Sequence, residues 1–259
     1  MEKKILQVEQ FAQIIMKETS SVSLRDYSFS SSLRLLVLAP HPDDFDAIAV
    51  MLKYFQANGN PILLLVLTGG SSGVNDSFLE NPTKHRKAEI RETEQIKALE
   101  FFGFPLSQIR FLRLPEDEQG DMILDDGCRK TVEKFFQEFD PDMMVLPYGE
   151  DSNPSHQRTF MLARQLAMAA AKPILVFYNQ DPKTIKISLD VYIAFDQATA
   201  SWKRELLRFH QSQQTRNLQT RGFGFDERIL KVNQAISEQL KTNQAYAEGF
   251  HVELFEPAA

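Results

Sequence analysis

Two short segments carry side chains that could bind a metal. His41, Asp43 and Asp44 lie together in "PHPDD", and His156 ends "NPSH". Two imidazoles and one carboxylate form a common catalytic zinc set that leaves a fourth position for water. His41 and Asp44 could contact one ion from the same side, and His156 could complete the set. Zinc lowers the pKa of bound water from about 16 to about 7, and Asp43 could accept the proton, which suits amide hydrolysis.

The same residues also have ordinary structural interpretations. An aspartate at the start of a helix is a routine N-cap that interacts favourably with the helix dipole, which applies to Asp43 and Asp44. His41 stands between two prolines and fits a loop, and His156 fits the first turn of a helix. Spacing alone therefore leaves both interpretations open, and the position of the preceding strands has to decide between them.

Short β-rich runs alternate with longer helical stretches, which predicts an α/β fold with a mostly parallel sheet and helices on both faces. We expect strands at 33–40, 61–70, 109–114, 141–149, 172–178 and 190–196. We expect helices at 45–59, 83–103, 126–139, 156–171, 197–214 and 225–246. In a common order for such sheets the first and fourth strands are neighbours, and ligands bind at their carboxyl ends. "PHPDD" follows the first strand and "NPSH" follows the fourth, so this order would bring the two segments together.

Composition restricts the partners of the chain. Its 259 residues fit one α/β domain, and its net charge of -6, with both signs mixed, gives no basic stripe for nucleic acid. The first residues are too charged for a signal peptide and no later apolar run approaches a membrane span, so we predict a cytoplasmic protein that acts on a small molecule. The single cysteine, Cys128, excludes an internal disulfide. Its surroundings, "DDGCRK", are typical of the start of a helix, so we do not expect Cys128 to be a catalytic nucleophile.

Residues 1–32 are predicted to form a helical extension with a serine-rich connector, ahead of a domain at 33–259. Within that domain, the aromatic and glycine-rich segment 221–229 indicates either a flap over the site or a contact between copies in a homo-oligomer.

Several motifs, in the right order, resemble one protein family. "APHPDDFD" resembles the AHPDDE signature of the PIG-L/LmbE family of zinc-dependent deacetylases, and "NPSH" takes the place of its HPDH motif. "LTGGSSG" at 67–73 is similar to its T-x-G-x-x-G segment, and "AEIRETEQIKALEFFG" at 88–103 resembles its R-x-x-E-x-x-x-A-x-x-x-x-G helix. The resemblance covers residues 33 to about 255.

The resemblance implies a Rossmann-like three-layer sandwich and a zinc-dependent hydrolase. Such an enzyme removes an N-acetyl group from an N-acetylglucosaminyl or related sugar conjugate. His41, Asp44 and His156 would be the zinc ligands, and Asp43 the general base and later the proton donor. The resemblance also suggests Arg91 as a substrate-binding residue, although neighbouring glutamates make a salt-bridged helix face an equal alternative.

Two departures concern the second motif. Asn153 stands where the family has a histidine that assists the oxyanion or protonates the amine, and Ser155 replaces the aspartate that orients it. An asparagine amide can donate a hydrogen bond but cannot carry a proton, so we expect Asn153 or Tyr148 to assist the oxyanion. Proton donation would then come from Asp43 or from one of three other candidates, Tyr148, Asp151 and His85.

A third departure is Phe45, where the signature usually has a glutamate. Asp46 could take over this support of the metal ligands, although one step along a helix rotates a side chain by about 100°.

Two alternatives compete with the deacetylase hypothesis. A family member impaired by its Asn153 and Ser155 could act as a carbohydrate-binding or regulatory protein. A Rossmann-type nucleotide-binding enzyme could place the aspartates on a ribose, but the G-x-G-x-x-G order is absent.

Overall fold

The computed structural model describes residues 5–257, which form ten strands and eight α-helices. The strands are β1 (Ile5–Leu6), β2 (Val22–Ser23), β3 (Ser28–Phe29), β4 (Leu35–Ala39), β5 (Ile62–Val66), β6 (Ile109–Phe111), β7 (Met143–Pro147), β8 (Ile174–Asn179), β9 (Val191–Phe195) and β10 (Tyr246–Phe255). The helices are α1 (Val8–Lys17), α2 (Ala49–Ala57), α3 (Lys84–Phe102), α4 (Asp126–Phe139), α5 (Pro154–Met168), α6 (Gln197–Arg208), α7 (Gln211–Arg221) and α8 (Phe225–Leu240).

Eight strands form one sheet in the order β2-β9-β10-β8-β7-β4-β5-β6. All neighbours are parallel except β10, which is antiparallel to both β8 and β9. The predicted Rossmann-like sandwich is confirmed. So is the predicted pairing of the first and fourth long strands, because Leu35 of β4 lies opposite Met143 of β7.

Alternate residues of β4 face two different cores, which makes the sheet the middle layer of three. Leu35 and Val37 pack with α1, α2, α3 and α6, whereas Leu36 and Leu38 pack with α4 and α5. A strand covered on both faces is a continuous apolar run, as its sequence "LLVLA" shows. Cys128 is buried in the second core, and burial raises the pKa of its thiol, so this residue is unsuited to nucleophilic chemistry.

The predicted helix at 225–246 is wrong in its last part. α8 ends at Leu240, because Lys241 adopts a left-handed conformation with φ 52°. β10 then enters the sheet between β8 and β9. The predicted helix at 197–214 is likewise two helices, since His210 between them has ψ 66° and leaves the helical region.

β10 also supports the helix that follows the first motif. The carboxylate of Glu248 on β10 accepts hydrogen bonds from the backbone N–H groups of Val50 (2.9 Å) and Met51 (2.8 Å) in the first turn of α2. The buried Lys203 ammonium donates to the same carboxylate at 2.6 Å. A strand late in the chain therefore holds the start of a helix that follows the first motif.

The N-terminal extension joins the main body. The predicted helix there is α1, whose Phe11 is completely buried, and β2 pairs with β9 at the edge of the sheet. Residues 1–4 of the predicted extension lie outside the described residues, and its division from a domain at 33–259 stays a prediction. Within residues 5–257 no helix is long and apolar enough to cross a membrane.

Candidate active site

The connection from β4 to α2 turns sharply at Asp43. This residue has φ 96°, a left-handed conformation that is uncommon for residues other than glycine. Its N–H donates to the Gln95 Oε1 atom at 2.7 Å, which holds the turn in place from helix α3. A 3-10 helix, Asp44–Ile48, follows directly. Strain of this kind persists where the surrounding structure enforces it, and it is common at active sites.

The connection from β7 to α5 is organised by Asn153. Its Oδ1 atom accepts hydrogen bonds from the backbone N–H groups of Ser155 (2.8 Å) and His156 (3.3 Å), so Asn153 is the N-cap of α5. Pro154 occupies the first turn, where its missing N–H costs nothing. The cap places the His156 side chain, which is fully buried, in the first turn of the helix.

The structure brings the three predicted metal ligands together. One oxygen of the Asp44 carboxylate, Oδ2, lies 3.1 Å from His41 Nδ1, and the other, Oδ1, lies 3.4 Å from His156 Nε2. One potential ligand atom from each residue lies within 4.8 Å of the other two. Two imidazoles and a carboxylate that faces both of them form a donor set that fits a divalent transition metal.

Carboxylates orient His156 from behind. Its Nδ1 atom lies 3.0 Å from Asp151 Oδ2 and 3.2 Å from Asp181 Oδ2, which leaves Nε2 directed towards Asp44. A carboxylate on the far nitrogen fixes the ring and increases the basicity of a metal-binding histidine. Asp151, one of the predicted proton donors, is thus completely buried against His156.

Charges in this cluster shift each other's protonation. Burial lowers the pKa of His156, but the surrounding carboxylates outweigh it and raise this pKa well above its usual value. Burial raises the pKa of Asp44, but the charges of His156 and Lys183 outweigh it, so this pKa lies well below its usual value. Without a metal, therefore, the charged forms of Asp44 and His156 stabilise each other.

Sequence reasoning missed Asp181 and Lys183. Both lie in the loop after β8, and the Lys183 Nζ atom is 3.1 Å from His156 Nε2. Strand β8 is parallel to β7, so its following loop emerges at the same edge of the sheet as the second motif. The predicted strand at 172–178 could have suggested this position, but no residue pattern in "NQDPK" marks it.

Arg91 holds Asp43 and two loops. Its Nη2 atom donates to Asp43 Oδ1 at 2.7 Å and to the Pro42 carbonyl, and Nη1 donates to the Gly70 carbonyl at 2.8 Å. The side chain is buried, and a Cβ at Gly70, whose φ is 60°, would lie 2.0 Å from Nη1. These contacts support a positioning role for Arg91, and substrate binding by it stays a prediction.

The Asp46 side chain makes no hydrogen bond to His41, Asp44 or His156. Its Oδ2 atom accepts a hydrogen bond from Gln95 Nε2 at 2.9 Å and lies 2.5 Å from His210 Nε2, while Phe45 packs in the core. Asp46 thus supports Gln95, which in turn holds the backbone of Asp43.

The two altered residues of the second motif, Asn153 and Ser155, differ in their access to the cavity. Asn153 lines the cavity in front of His41 and Asp44, and its amide NH₂ makes no hydrogen bond with any residue in the described part of the chain. Ser155 is buried behind it, where its Oγ atom accepts a hydrogen bond from Met122 N–H at 2.9 Å.

Two predicted candidates lie away from the cavity. The Tyr148 ring packs against Phe160 and Tyr178 in the second core. Tyr148 lies two residues beyond Leu146 of the same core, so the alternation of side chains along a strand accounts for its direction. His85 is exposed near the start of α3, 3.4 Å from Glu89. Neither position supports a role in catalysis.

A cavity of about 320 Å³ opens over this cluster, within the range of small-molecule sites. Its lining includes His41, Asp43, Asp44 and Arg91. Residues of α7 and α8 complete its lining, which combines the carboxyl ends of the strands with the C-terminal helices.

Residues 36–167 match the model of the GlcNAc-PI de-N-acetylase family, PIG-L. This segment includes both motifs, Arg91 and Asp151. No curated protein sequence matches the chain significantly.

Several solved structures share the fold. The N,N'-diacetylchitobiose deacetylase from Pyrococcus horikoshii, complexed with its inhibitor MPG, is 17% identical over 97% of this chain and 95% of that chain, with a TM-score of 0.70. The 4-carboxy-2-hydroxymuconate hydratase GalB from Pseudomonas putida KT2440 is 17% identical over 88% of this chain and 98% of that chain, with a TM-score of 0.67. The zinc-inhibited form of teicoplanin deacetylase Orf2 is 16% identical over 87% of this chain and 100% of that chain, with a TM-score of 0.63. Since one of the three is a hydratase, the fold alone does not determine the reaction.

Proposed function

Because this chain belongs to the GlcNAc-PI de-N-acetylase (PIG-L) family, we propose that it is a zinc-dependent N-deacetylase acting on an N-acetylglucosaminyl unit or a related sugar conjugate. The observation that carries the proposal is the convergence of His41, Asp44 and His156, with His41, Asp44 and the neighbouring Asp43 on the wall of one cavity. A carboxylate beside a two-histidine, one-carboxylate set suits hydrolysis of an amide.

His41, Asp44 and His156 would hold the zinc ion. When bound there, zinc would supply Lewis acidity towards the amide carbonyl and lower the pKa of water. Asp151 and Asp181 support this assignment, because they hold the His156 ring with Nε2 directed towards Asp44.

Asp43 takes the proton of the attacking water and returns it to the leaving amine. The Arg91 guanidinium binds Oδ1 of this carboxylate, whereas Oδ2 makes no hydrogen bond among residues 5–257 and is available for the proton. Arg91 and Gln95 together fix the carboxylate and its backbone, so the base needs little reorganisation during the reaction.

Asn153 donates a hydrogen bond to the oxyanion that forms on the amide. Its Oδ1 atom is occupied by the two N–H groups of the α5 cap, which fixes the orientation of the amide group. The NH₂ group is then the part of the side chain available to a substrate in the cavity.

Metal analysis and activity measurements test the proposal together. Purified protein should hold about one zinc ion per chain, and His41→Ala and His156→Ala should lose most of it. Asp43→Asn should keep the metal and lose about 10²-fold to 10⁴-fold in amine release, because only the base is removed. Equal zinc contents in the wild type and both histidine variants would show that the metal site is misassigned.

A second candidate is a carbohydrate-binding or regulatory protein without hydrolytic activity. Asn153 and Ser155 favour it, since an amide cannot replace a histidine as a proton carrier and a serine lacks the carboxylate that would orient that histidine. Amine release from a panel of N-acetyl sugars distinguishes the two: sugar binding without release by the zinc-loaded protein would favour the second candidate.

A further inference from the structure

Three arginines of the C-terminal helices line the mouth of the cavity. Arg216 and Arg221 belong to α7, and Arg228 belongs to the second turn of α8. All three line the cavity that holds His41, Asp43 and Asp44. We call Arg216, Arg221 and Arg228 the arginine rim.

No carboxylate among residues 5–257 binds the arginine rim directly, although the charge of Asp43 reaches Arg216 and Arg228 from a distance. In the described part of the chain none of its members forms an ion pair, and Arg221 donates only to the neighbouring Thr220 hydroxyl, at 3.3 Å. Arg208 on α6 shows the usual arrangement, because its guanidinium binds the Asp226 carboxylate at 2.8 Å. Three arginines that line one cavity without a bonded carboxylate from the described residues stand out in a chain whose net charge is -6.

The rim residues repel one another. Burial lowers the pKa of Arg216, and the charges of Arg91 and Arg221 lower it further. Burial likewise lowers the pKa of Arg228, with a further contribution from Arg221, and the charges of Asp181 and Asp43 offset this only in part. A bound anion would relieve this repulsion.

We propose that the arginine rim binds an anionic group, a phosphate or a carboxylate, carried by the acylated amino sugar. This inference rests on the proposed deacetylase function, since it assigns the N-acyl group to the Asp43 end of the cavity and the charged group to the mouth. Guanidinium groups suit this task because their N–H donors match the oxygens of phosphate and carboxylate.

The arginine rim lies outside the part of the chain that matches the family model. The family model ends at residue 167, and all three arginines lie after it on helices that complete the cavity. A preference for a charged sugar would therefore be set by the C-terminal helices, separately from the reacting groups.

Binding of three probes to the zinc-loaded Asp43→Asn variant tests the proposal without turnover. The probes are N-acetylglucosamine 1-phosphate, N-acetylmuramic acid and neutral N-acetylglucosamine. Calorimetry should show at least one charged probe binding about tenfold or more tightly than the neutral sugar, which is the expected scale for a charged hydrogen bond. The two charged arms distinguish a phosphate from a carboxylate. Added salt should weaken only the charged probes.

Substitution of the rim provides the second arm. Adding Arg216→Gln and Arg228→Gln to the same variant should reduce the affinity for the preferred charged probe to that for the neutral sugar. Arg110→Gln is the matched control, because Arg110 is an exposed arginine on the edge strand β6 and bonds only to nearby carbonyls. It should change no affinity.

Equal affinities for neutral and charged probes, no binding of either charged probe, or no effect of the double substitution would overturn the rim assignment. Amine release by the wild type separates this failure from failure of the proposed function. Hydrolysis of neutral and charged sugars at equal rates would support the deacetylase function and contradict anion binding by the arginine rim. If the protein binds an anionic sugar through the arginine rim but hydrolyses no amide, the deacetylase function is contradicted and the rim assignment is supported.

Discussion

Asn153 combines two tasks in one side chain. Its oxygen caps α5 and so places His156, while its NH₂ group is available at the cavity. A histidine at this position could carry a proton, whereas the amide can only donate a hydrogen bond. In the proposed mechanism proton transfer therefore falls to Asp43, whose carboxylate keeps one oxygen without a partner among residues 5–257.

Two substitutions separate these tasks. Asn153→Asp keeps a capping oxygen and should leave stability nearly unchanged, whereas Asn153→Ala removes the cap and should cost about 1 kcal/mol of unfolding free energy. Both remove the NH₂ donor and should lower kcat by about 10²-fold. Denaturant unfolding and steady-state kinetics measure the two effects. Full activity in Asn153→Ala would exclude the residue as an oxyanion donor.

Candidate site residues can be predicted from the sequence where they directly follow a strand with a long apolar run. His41, Asp43, Asp44 and His156 follow β4 and β7, whose apolar runs mark where the sheet ends, and adjacency of these strands is enough to bring them together. The supporting residues depend on contacts that no local pattern encodes. Asp181, for example, contacts His156 from a loop that reads as an ordinary polar turn.

At the scale of elements, the buried contacts of β10 anchor α2. Glu248 accepts from the first turn of α2 and from Lys203, and both side chains are almost inaccessible to solvent. Lys203 also donates to Asn233 Oδ1 at 3.0 Å, which connects α6 with α8. This buried ion pair therefore joins a strand and three helices.

Removing one partner of this pair should be costly. Glu248→Ala leaves a buried ammonium without its carboxylate and should reduce the free energy of unfolding by about 3–5 kcal/mol, as measured by chemical denaturation. The control is Glu138→Ala, which breaks the exposed pair with Lys134 and should change stability by less than about 1 kcal/mol. A similar small loss in both variants would contradict the role assigned to Glu248.

Element boundaries follow the sequence where a specific residue marks them. α3 begins after Thr83, whose side chain accepts from Arg86 N–H at 3.2 Å, and ends at Gly103, whose φ is 79°. α8 ends at Leu240, and its C-cap, Lys241, is not a glycine. The sequence therefore contains no stop signal there, and the predicted helix runs on to residue 246, where β10 begins. Its place between β8 and β9 depends on the rest of the sheet, which local propensity does not describe.

At the scale of the whole molecule, His210 links distant parts of the chain. It lies between α6 and α7, is fully buried, and pairs with Asp46 beside the first motif. Burial lowers the pKa of His210, but the Asp46 carboxylate outweighs it, so this pKa is raised above its usual value of 6.5. The protonated pair thus stabilises the folded state.

This contribution should depend on pH. A raised pKa means that the stabilisation is complete below pH 6.5, the usual pKa of histidine, and is lost as the pH rises through the higher pKa of the folded state. The difference in Tm between the wild type and His210→Gln should therefore be largest below pH 6.5 and decrease at alkaline pH. Thermal unfolding across this range measures it. A difference that does not vary with pH would show that His210 stays neutral in the fold.

The position of β10 also has a consequence for how the protein is made. A ribosome releases β4, α2 and β7 long before it releases β10, yet β10 separates β8 from β9 and Glu248 holds the first turn of α2. Synthesis proceeds at about 5–20 residues per second, and a domain generally folds as a unit. Helix α2, which follows the first motif, thus gains this anchor only seconds after β7 has been made, when residue 248 has emerged.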